Sequence, residues 1–241
     1  GERGPAWAGA GIALLLTDTL VRDCVFRGNT AVEGGAVWMG GQGGSRLENC
    51  LVEGNTAQYG GGVYLVNSEP VMGISGCVIR DNSASIAGGG IYLYNVGLEM
   101  EATLVLGNAA FDRGGGMYVA QLHDGSWIER CSILANSAPV AGGVRLAYPM
   151  TLAFARNLVA HNAGGAGIDA VVSGTGSGAV LEARCTLQYG NGGGNALPFG
   201  AVDLGGNFVA APLLCSDGYS PSAASPCLPA NRVDLPACGG I

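Results

Sequence analysis

The chain has 241 residues, 48% of them hydrophobic and 12% charged, with 44 glycines and a net charge of −7 from 11 basic and 18 acidic residues. A chain this long and this apolar can bury a sizeable core, which argues against disorder, and glycine without a strict three-residue period argues against collagen. Every basic residue is an arginine, no basic run could track a phosphate backbone, and no apolar stretch reaches the roughly 18 residues of a membrane-spanning helix, so neither nucleic acid nor a bilayer span is expected.

Residues 1–8, GERGPAWA, read as an N-terminal extension. The opening lacks the form of an intact signal peptide, so a processed chain is expected. From about Gly9 the sequence repeats. Asn29, Asn55, Asn82, Asn108, Asn136 and Asn162 recur at spacings of 26, 27, 26, 28 and 26. Three positions before each stands Phe26, Val52, Ile79, Val105, Ile133 or Val159, and five before stands Cys24, Cys50, Cys77, Thr103, Cys131 or Asn157. Eight before stands Val21, Leu47, Ile74, Met100, Ile128 or Phe154.

A glycine cluster follows each of the first five asparagines: Gly34-Gly35, Gly60 to Gly62, Gly88 to Gly90, Gly114 to Gly116 and Gly142-Gly143. After each cluster comes a β-prone triplet: Val37-Trp38-Met39, Val63-Tyr64-Leu65, Ile91-Tyr92-Leu93, Met117-Tyr118-Val119 and Val144-Arg145-Leu146. Period two sends the outer residues of each triplet inward and the middle one outward. A unit this small cannot bury its own apolar face, but stacked units can, each pairing in parallel with the next. The expected fold is all-β, a right-handed parallel β-helix of about six to seven coils of 26–28 residues over 9–166. A leucine-rich repeat is the rival, since apolar residues at minus eight, five and three fit its phrase. The second β-prone strand, introduced by glycines that oppose helix, counts against it.

Phe26-Arg27-Gly28-Asn29 followed by Gly34-Gly35-Ala36-Val37 resembles the FxxN and GGA(I/V) motifs of the chlamydial polymorphic outer-membrane proteins and similar bacterial β-helix repeat proteins. Later coils keep the frame with an aliphatic in place of Phe. The resemblance implies a β-helical surface or autotransporter passenger used in adhesion. No C-terminal membrane barrel occurs in this sequence, in departure from the autotransporter pattern.

Residues 167–241 read as an irregular last coil, with Cys185, Tyr189 and Gly190-Asn191 as its trace, followed by a cap. The stretch from Gly206 to Cys227 is similar to the terminal element of many secreted bacterial β-helix proteins, with Cys215 to Cys227 as the favoured disulfide staple. A cap there would cover an open β-edge. Eight cysteines without CxxC or zinc-ligand spacing favour an oxidising, extracytoplasmic compartment.

The acid, base and calcium groups of β-helical polysaccharide enzymes have no evident counterpart. Lysine is absent, no GxSxG or calcium nonapeptide occurs, and Glu99 with Glu101 reads as surface charge. His123 and His161 read as solvated or turn-bonded imidazoles. No cofactor or metal is expected. The asparagines read as a structural amide ladder. The cysteine column reads as reduced, space-filling thiols, because coils stack wider than a disulfide allows; a strained Cys24–Cys50 bridge is the alternative.

Two columns point outward. Trp38, Tyr64, Tyr92 and Tyr118, ending on Arg145, form an exposed aromatic ladder and a candidate interaction surface. Val25, Leu51, Val78, Leu104, Ser132 and Leu158 form an apolar lateral stripe, or core if the strand bulges. Trp7 is the candidate anchor of an end contact. The functional expectation is a non-catalytic extracellular scaffold or adhesin that self-associates end to end or laterally and meets glycans or a neighbouring cell surface. The alternatives are a carbohydrate-active enzyme and a glycan-binding module.

Overall fold

A computed structural model of the protein describes residues 9–148, 150–170 and 180–212. Each repeat folds as one coil because its glycines and asparagines sit where the backbone must turn. In the middle coil the chain runs through Ile91–Glu101, Leu104–Leu106 and Ala109–Ala110, and every pairing to the next coil is parallel. Stacking builds three walls of 13, 7 and 5 strands among the described residues. The first wall follows the glycine clusters. The second carries the strands from Val25–Arg27 to Leu187–Tyr189, and the third those from Thr56–Tyr59 to Ala163–Gly164. Parallel pairing continues past residue 166, through Ile168–Ala170, Val180–Arg184 and Leu187–Tyr189 to Val202–Asp203.

The turns share a backbone signature. The residue before each asparagine has positive φ, whether Gly28, Gly54, Asp81, Gly107, Ala135 or His161, and so does the residue before each cysteine-column position, from Asp23 to Arg156. Unequal spacing is absorbed outside the ladders. Val63–Ser75 is two residues longer than Ile91–Glu101, and the pairing register shifts between Val96 and Leu98, so Glu69-Pro70-Val71 loops out while the residues on either side stay in step.

The interior is a single apolar column filled as the parity predicts: Met39, Leu65, Leu93 and Val119 from the first wall, Leu47, Ile74, Met100, Ile128 and Phe154 from its far end, and Val52, Ile79, Val105, Ile133 and Val159 from the second. At the last coil the second-wall column ends on Gln188, which is buried with no partner for Oε1.

At one corner the asparagines form a continuous amide ladder. Asn108 Oδ1 accepts from the backbone N–H (3.0 Å) and Nδ2 (2.9 Å) of Asn82, while its own Nδ2 donates to the Ile79 carbonyl (2.9 Å) and to Asn136 Oδ1 (3.0 Å). The same contacts recur from Asn29 through Asn162 to Asn191 and Asn195. The glycine clusters make room for it. A Cβ on Gly90 would sit 3.0 Å from Asn108 Cγ, and one on Gly89 would meet the carbonyl oxygens of Ala109 and Gly115.

A second polar ladder occupies the opposite corner, where the sequence suggested thiols that only fill space. The thiols of Cys24, Cys50, Cys77 and Cys131 donate to the carbonyl two residues back, at 3.1 to 3.3 Å, as does the Thr103 hydroxyl at 2.9 Å. Their counterparts one coil on accept backbone N–H groups: Cys77 Sγ from the Cys50 N–H at 3.5 Å, Thr103 Oγ1 from the Cys77 N–H at 3.4 Å, and Asn157 Oδ1 from the Cys131 N–H at 2.8 Å. All four cysteines are free thiols, so no Cys24–Cys50 bridge forms. Burial pushes the Cys77 and Cys131 thiols up to about 12, and Cys50 upward as well.

Replacing Asn108 by Leu strands the Asn82 donors and the Ile79 carbonyl and should cost at least about 3 kcal/mol in denaturant unfolding, against about 1 kcal/mol for Asn29→Ala at the half-exposed end, since each buried unpaired group costs about 1–3 kcal/mol. At pH 8 the native protein should leave Cys50, Cys77 and Cys131 unalkylated, and all should react once it unfolds. Because these thiols keep their protons in the fold that the unfolded chain loses near pH 9, stability should fall as pH rises from about 9 towards 12, measured as a declining unfolding midpoint.

Candidate functional site

The aromatic column is set by strand register: Trp38 pairs with Tyr64, Tyr64 with Tyr92, Tyr92 with Tyr118, and Tyr118 with Arg145. Coil spacing then stacks the rings. Tyr64 and Tyr92 lie 4.9 Å apart at 3°, Tyr92 and Tyr118 5.0 Å apart at 18°. The sequence predicts an exposed ladder, and the structure corrects this: Trp38, Tyr64 and Tyr118 are only 6%, 8% and 8% exposed. Tyr92 is covered by the rings of Tyr64 and Tyr118 on either side, and the flank is closed by the third wall, with Tyr59 edge-on to Tyr92 at 5.4 Å. Trp38 Nε1 donates to Glu33 at 3.2 Å, and Arg145 is ion-paired with Asp169.

What the column offers outward is a groove lined by Tyr59, Ile86, Ala87, Tyr92, Arg113 and Tyr118, with Arg113 ion-paired to Asp112 at its rim. Burial raises the Tyr64, Tyr92 and Tyr118 phenols above their ordinary range, in Tyr118 against the pull of Arg113, so these hydroxyls stay protonated and able to donate.

A second groove lies beside the loop that absorbs the extra residues. Gln42, Asn67, Ser68, Glu69, Asn95 and His123 line it. Asn95 Nδ2 donates to Asn67 Oδ1 at 3.1 Å, and His123 Nε2 lies 3.2 Å from Asn95 Oδ1, so His123 extends a short amide column. This column is absent from the sequence reading, although a signal existed: Asn67, Asn95 and His123 stand 28 residues apart at each step. His161 is on another wall, in a turn at φ 57°, edge-on to Tyr189 at 5.6 Å. The two histidines are not brought together.

Charged side chains on the walls are tied into ion pairs between coils. Arg22 meets Glu48 at 2.7 Å, Glu53 is held by Arg27 and Arg80 at 2.6 Å each, and Glu129 takes Arg156 at 2.6 Å. Glu101 pairs with Arg130. Arg46 reaches Glu99 two coils away at 3.0 Å, across Gly73, where a Cβ would lie 2.7 Å from the guanidinium. The hydrogen bond from Arg27, helped by Arg80, holds the Glu53 carboxyl below its usual range. At the C-terminal end of the stack a hollow of mixed character is lined by Thr186, Gln188, Asn195, Asp203 and Asn207 together with Leu197, Phe208 and Val209. Among the described residues no group of three His, Cys, Asp or Glu is placed to hold a metal ion.

The apolar stripe has no bulge, so its parity is outward. Val25 is 62% exposed, Leu51, Val78, Leu104 and Ser132 are half-buried, and Leu158 is buried outside the main core. Trp7, Cys215 and Cys227 lie outside the described residues.

No helix among the described residues is long and apolar enough to cross a membrane. Comparison with curated proteins and with solved structures gave no match. A family profile described as a right-handed β-helix region matches residues 6–133. That stretch spans more than half of the sequence and holds the coils in which asparagine ladder, glycine cluster and apolar triplet recur in step, so the chain belongs to the right-handed β-helix family.

Proposed function

We propose that the chain is a non-catalytic β-solenoid that serves as a structural or adhesive scaffold outside the cytoplasm. The observation that carries this reading is how acids on the strand walls are held: Glu48, Glu53, Glu99, Glu101, Glu129 and Asp169, six of the 18 acidic residues, are each paired with an arginine, most of them on a neighbouring coil. A general acid or base needs a titratable group free to exchange its proton next to bound substrate, and carboxylates held as guanidinium salts are poorly suited to that work. The extracytoplasmic site rests on the resemblance of the repeats and on the cysteines of the C-terminal quarter.

Self-association is part of the proposal. Among the described residues the strands of the first coil, Ile12–Leu15, Leu20–Arg22 and Val25–Arg27, pair on one side only, and Leu16 and Leu20 beside them are exposed. An edge of this kind templates another strand, and a head-to-tail contact propagates without closing. Trp7 would anchor the neighbour.

One observation favours a second reading, glycan binding. The groove lined by Tyr59, Tyr92, Tyr118 and Arg113 presents protonated phenol hydroxyls and a guanidinium beside aromatic edges, the donor set that sugar hydroxyls accept.

Incubation with acidic and neutral polysaccharides should release no reducing ends or unsaturated uronates, in the wild type and in His123→Ala alike. Turnover abolished by His123→Ala or Arg113→Ala with the fold intact overturns the non-catalytic reading. Sedimentation should show species larger than the 24.1 kDa monomer, lost when residues 1–8 are removed; a monodisperse monomer for both chains ends the self-association proposal. Oligosaccharide binding by calorimetry, weakened at least tenfold in Tyr92→Ala, would establish the glycan reading.

A further inference from the structure

The groove beside the tyrosine column has two banks, and parallel pairing sets the spacing of both. On the third wall, Tyr59, Ala87 and Arg113 follow one another coil by coil in register. Ala87 is 2% exposed and stands between two long side chains, so this bank carries a notch one coil wide. The first wall supplies the other bank, Tyr92 and Tyr118 with their rings 5.0 Å apart, and Ile86 completes the lining. The space between the banks is about 240 Å³. A pocket that encloses a drug-sized ligand has about 300–1,000 Å³, so the occupant of this one is narrow and lies partly outside it.

The chemistry of the groove is one-sided. Its lining side chains are three phenols, a guanidinium and two aliphatics, with no carboxylate or amide to accept from a ligand's N–H groups. Burial keeps the Tyr92 and Tyr118 phenols protonated, and Asp112 at the rim is held by Arg113. Backbone pairing is closed to a ligand as well. The strands that carry Ala87, Tyr92 and Tyr118 are each paired on both sides, so no sheet edge is open to an added strand. A ligand that fits such a lining is apolar in its side chains, rich in acceptors and poor in donors.

We propose that the groove docks a proline-rich segment of a partner protein in the polyproline II conformation, running along the stack. One three-residue turn of that helix rises about 9.3 Å, against about 9.6 Å for the two coil steps from Tyr59 to Arg113, so groups one turn apart on the segment meet Tyr59 and Arg113 while a ring between them enters the notch at Ala87. The carbonyls of a polyproline II chain have no internal partners and accept from the phenols and the guanidinium, and proline brings no N–H that would be left unpaired. An oligosaccharide brings hydroxyls that donate as well as accept, and the lining side chains offer those donors phenol oxygens alone. The inference goes beyond the scaffold reading, which stands whether the groove is filled or empty, and gives its adhesive form a partner class.

Acetylated and amidated decaproline, titrated into the full chain in a calorimeter, should bind, while cellohexaose and a Gly-Ser decapeptide should not. Arg113→Ala and Tyr92→Phe, each with the unfolding midpoint of the wild type, should weaken decaproline at least fivefold. In the unmutated chain, which needs no variant to fold, intermolecular Overhauser contacts should join proline ring protons to the rings of Tyr59 and Tyr92. The proposal is overturned by the absence of both heat and Overhauser contacts with decaproline, by equal binding of the Gly-Ser peptide, by an affinity that neither folded variant changes, or by cellohexaose binding that decaproline does not displace, which would assign the groove to glycans. Each of these outcomes leaves the sedimentation and polysaccharide assays of the scaffold reading untouched.

Discussion

The structure depends on one buried amide per coil. At the corner between the second and third walls the backbone turns too sharply for ladder bonds alone to satisfy its polar groups, and an unpaired buried N–H or carbonyl is costly. Asparagine answers with two acceptor sites and two donors, all of them used in Asn108. Because Oδ1 accepts from the coil before and Nδ2 donates to the coil after, each amide also fixes the stacking register. The glycine of the cluster is the other half of the device: Gly62, Gly90, Gly116 and Gly143 each leave the space in which the amide of the following coil sits. The recurrence of Asn and Gly at fixed distance in the sequence is thus a single packing constraint seen at two places in the coil.

That coupling explains why the fold was legible. Period, inward columns and pairing of the triplets could all be read because the buried positions of the triplets repeat: Val37, Val63, Ile91, Met117 and Val144 align in the sequence and pair in the structure. The opposite corner was harder. A Cys, Cys, Cys, Thr, Cys, Asn series does not announce a hydrogen-bonding column, since the thiol is commonly an apolar filler. What unites these types is a small side chain whose head can both donate to the carbonyl two residues back and accept an N–H from the adjacent coil, and Thr103 and Asn157 were the clue that polarity was being selected. The same column shifts the meaning of the cysteine count, since four of the eight are free thiols, three of them buried, and only the remainder speak for an oxidising compartment.

The outer surface was legible in direction but not in coverage. Parity sent the tyrosine column outward correctly, yet parity cannot show that Tyr59 and Ile86 from the third wall close over its flank, because that depends on how sharply the corner at the glycines folds one wall against the other. The amide column ending on His123 was missed for a related reason. Its members lie in segments where the spacing is 28 rather than 26, out of phase with the ladder that anchored the alignment.

The ion pairs pose a question of purpose, because exposed pairs contribute about 0–1 kcal/mol each and these are 19–63% exposed where Arg27, Arg80 and Glu53 meet. Stability is therefore a weak reason for them. Their arrangement suits a different need. A stacked solenoid repeats every outward residue at about 4.8 Å, so a column of like charges would repel at each step and a column of aliphatics would attract other chains. Alternating Arg27, Glu53 and Arg80 removes both problems over the first three coils, and the apolar residues that take over from Leu106 leave the second. A wall that is charge-balanced for half its length and apolar for the rest needs its apolar half covered, and the chain itself does this where Phe208 and Ala210 pack on Leu134, Leu158, Ala160 and Leu187.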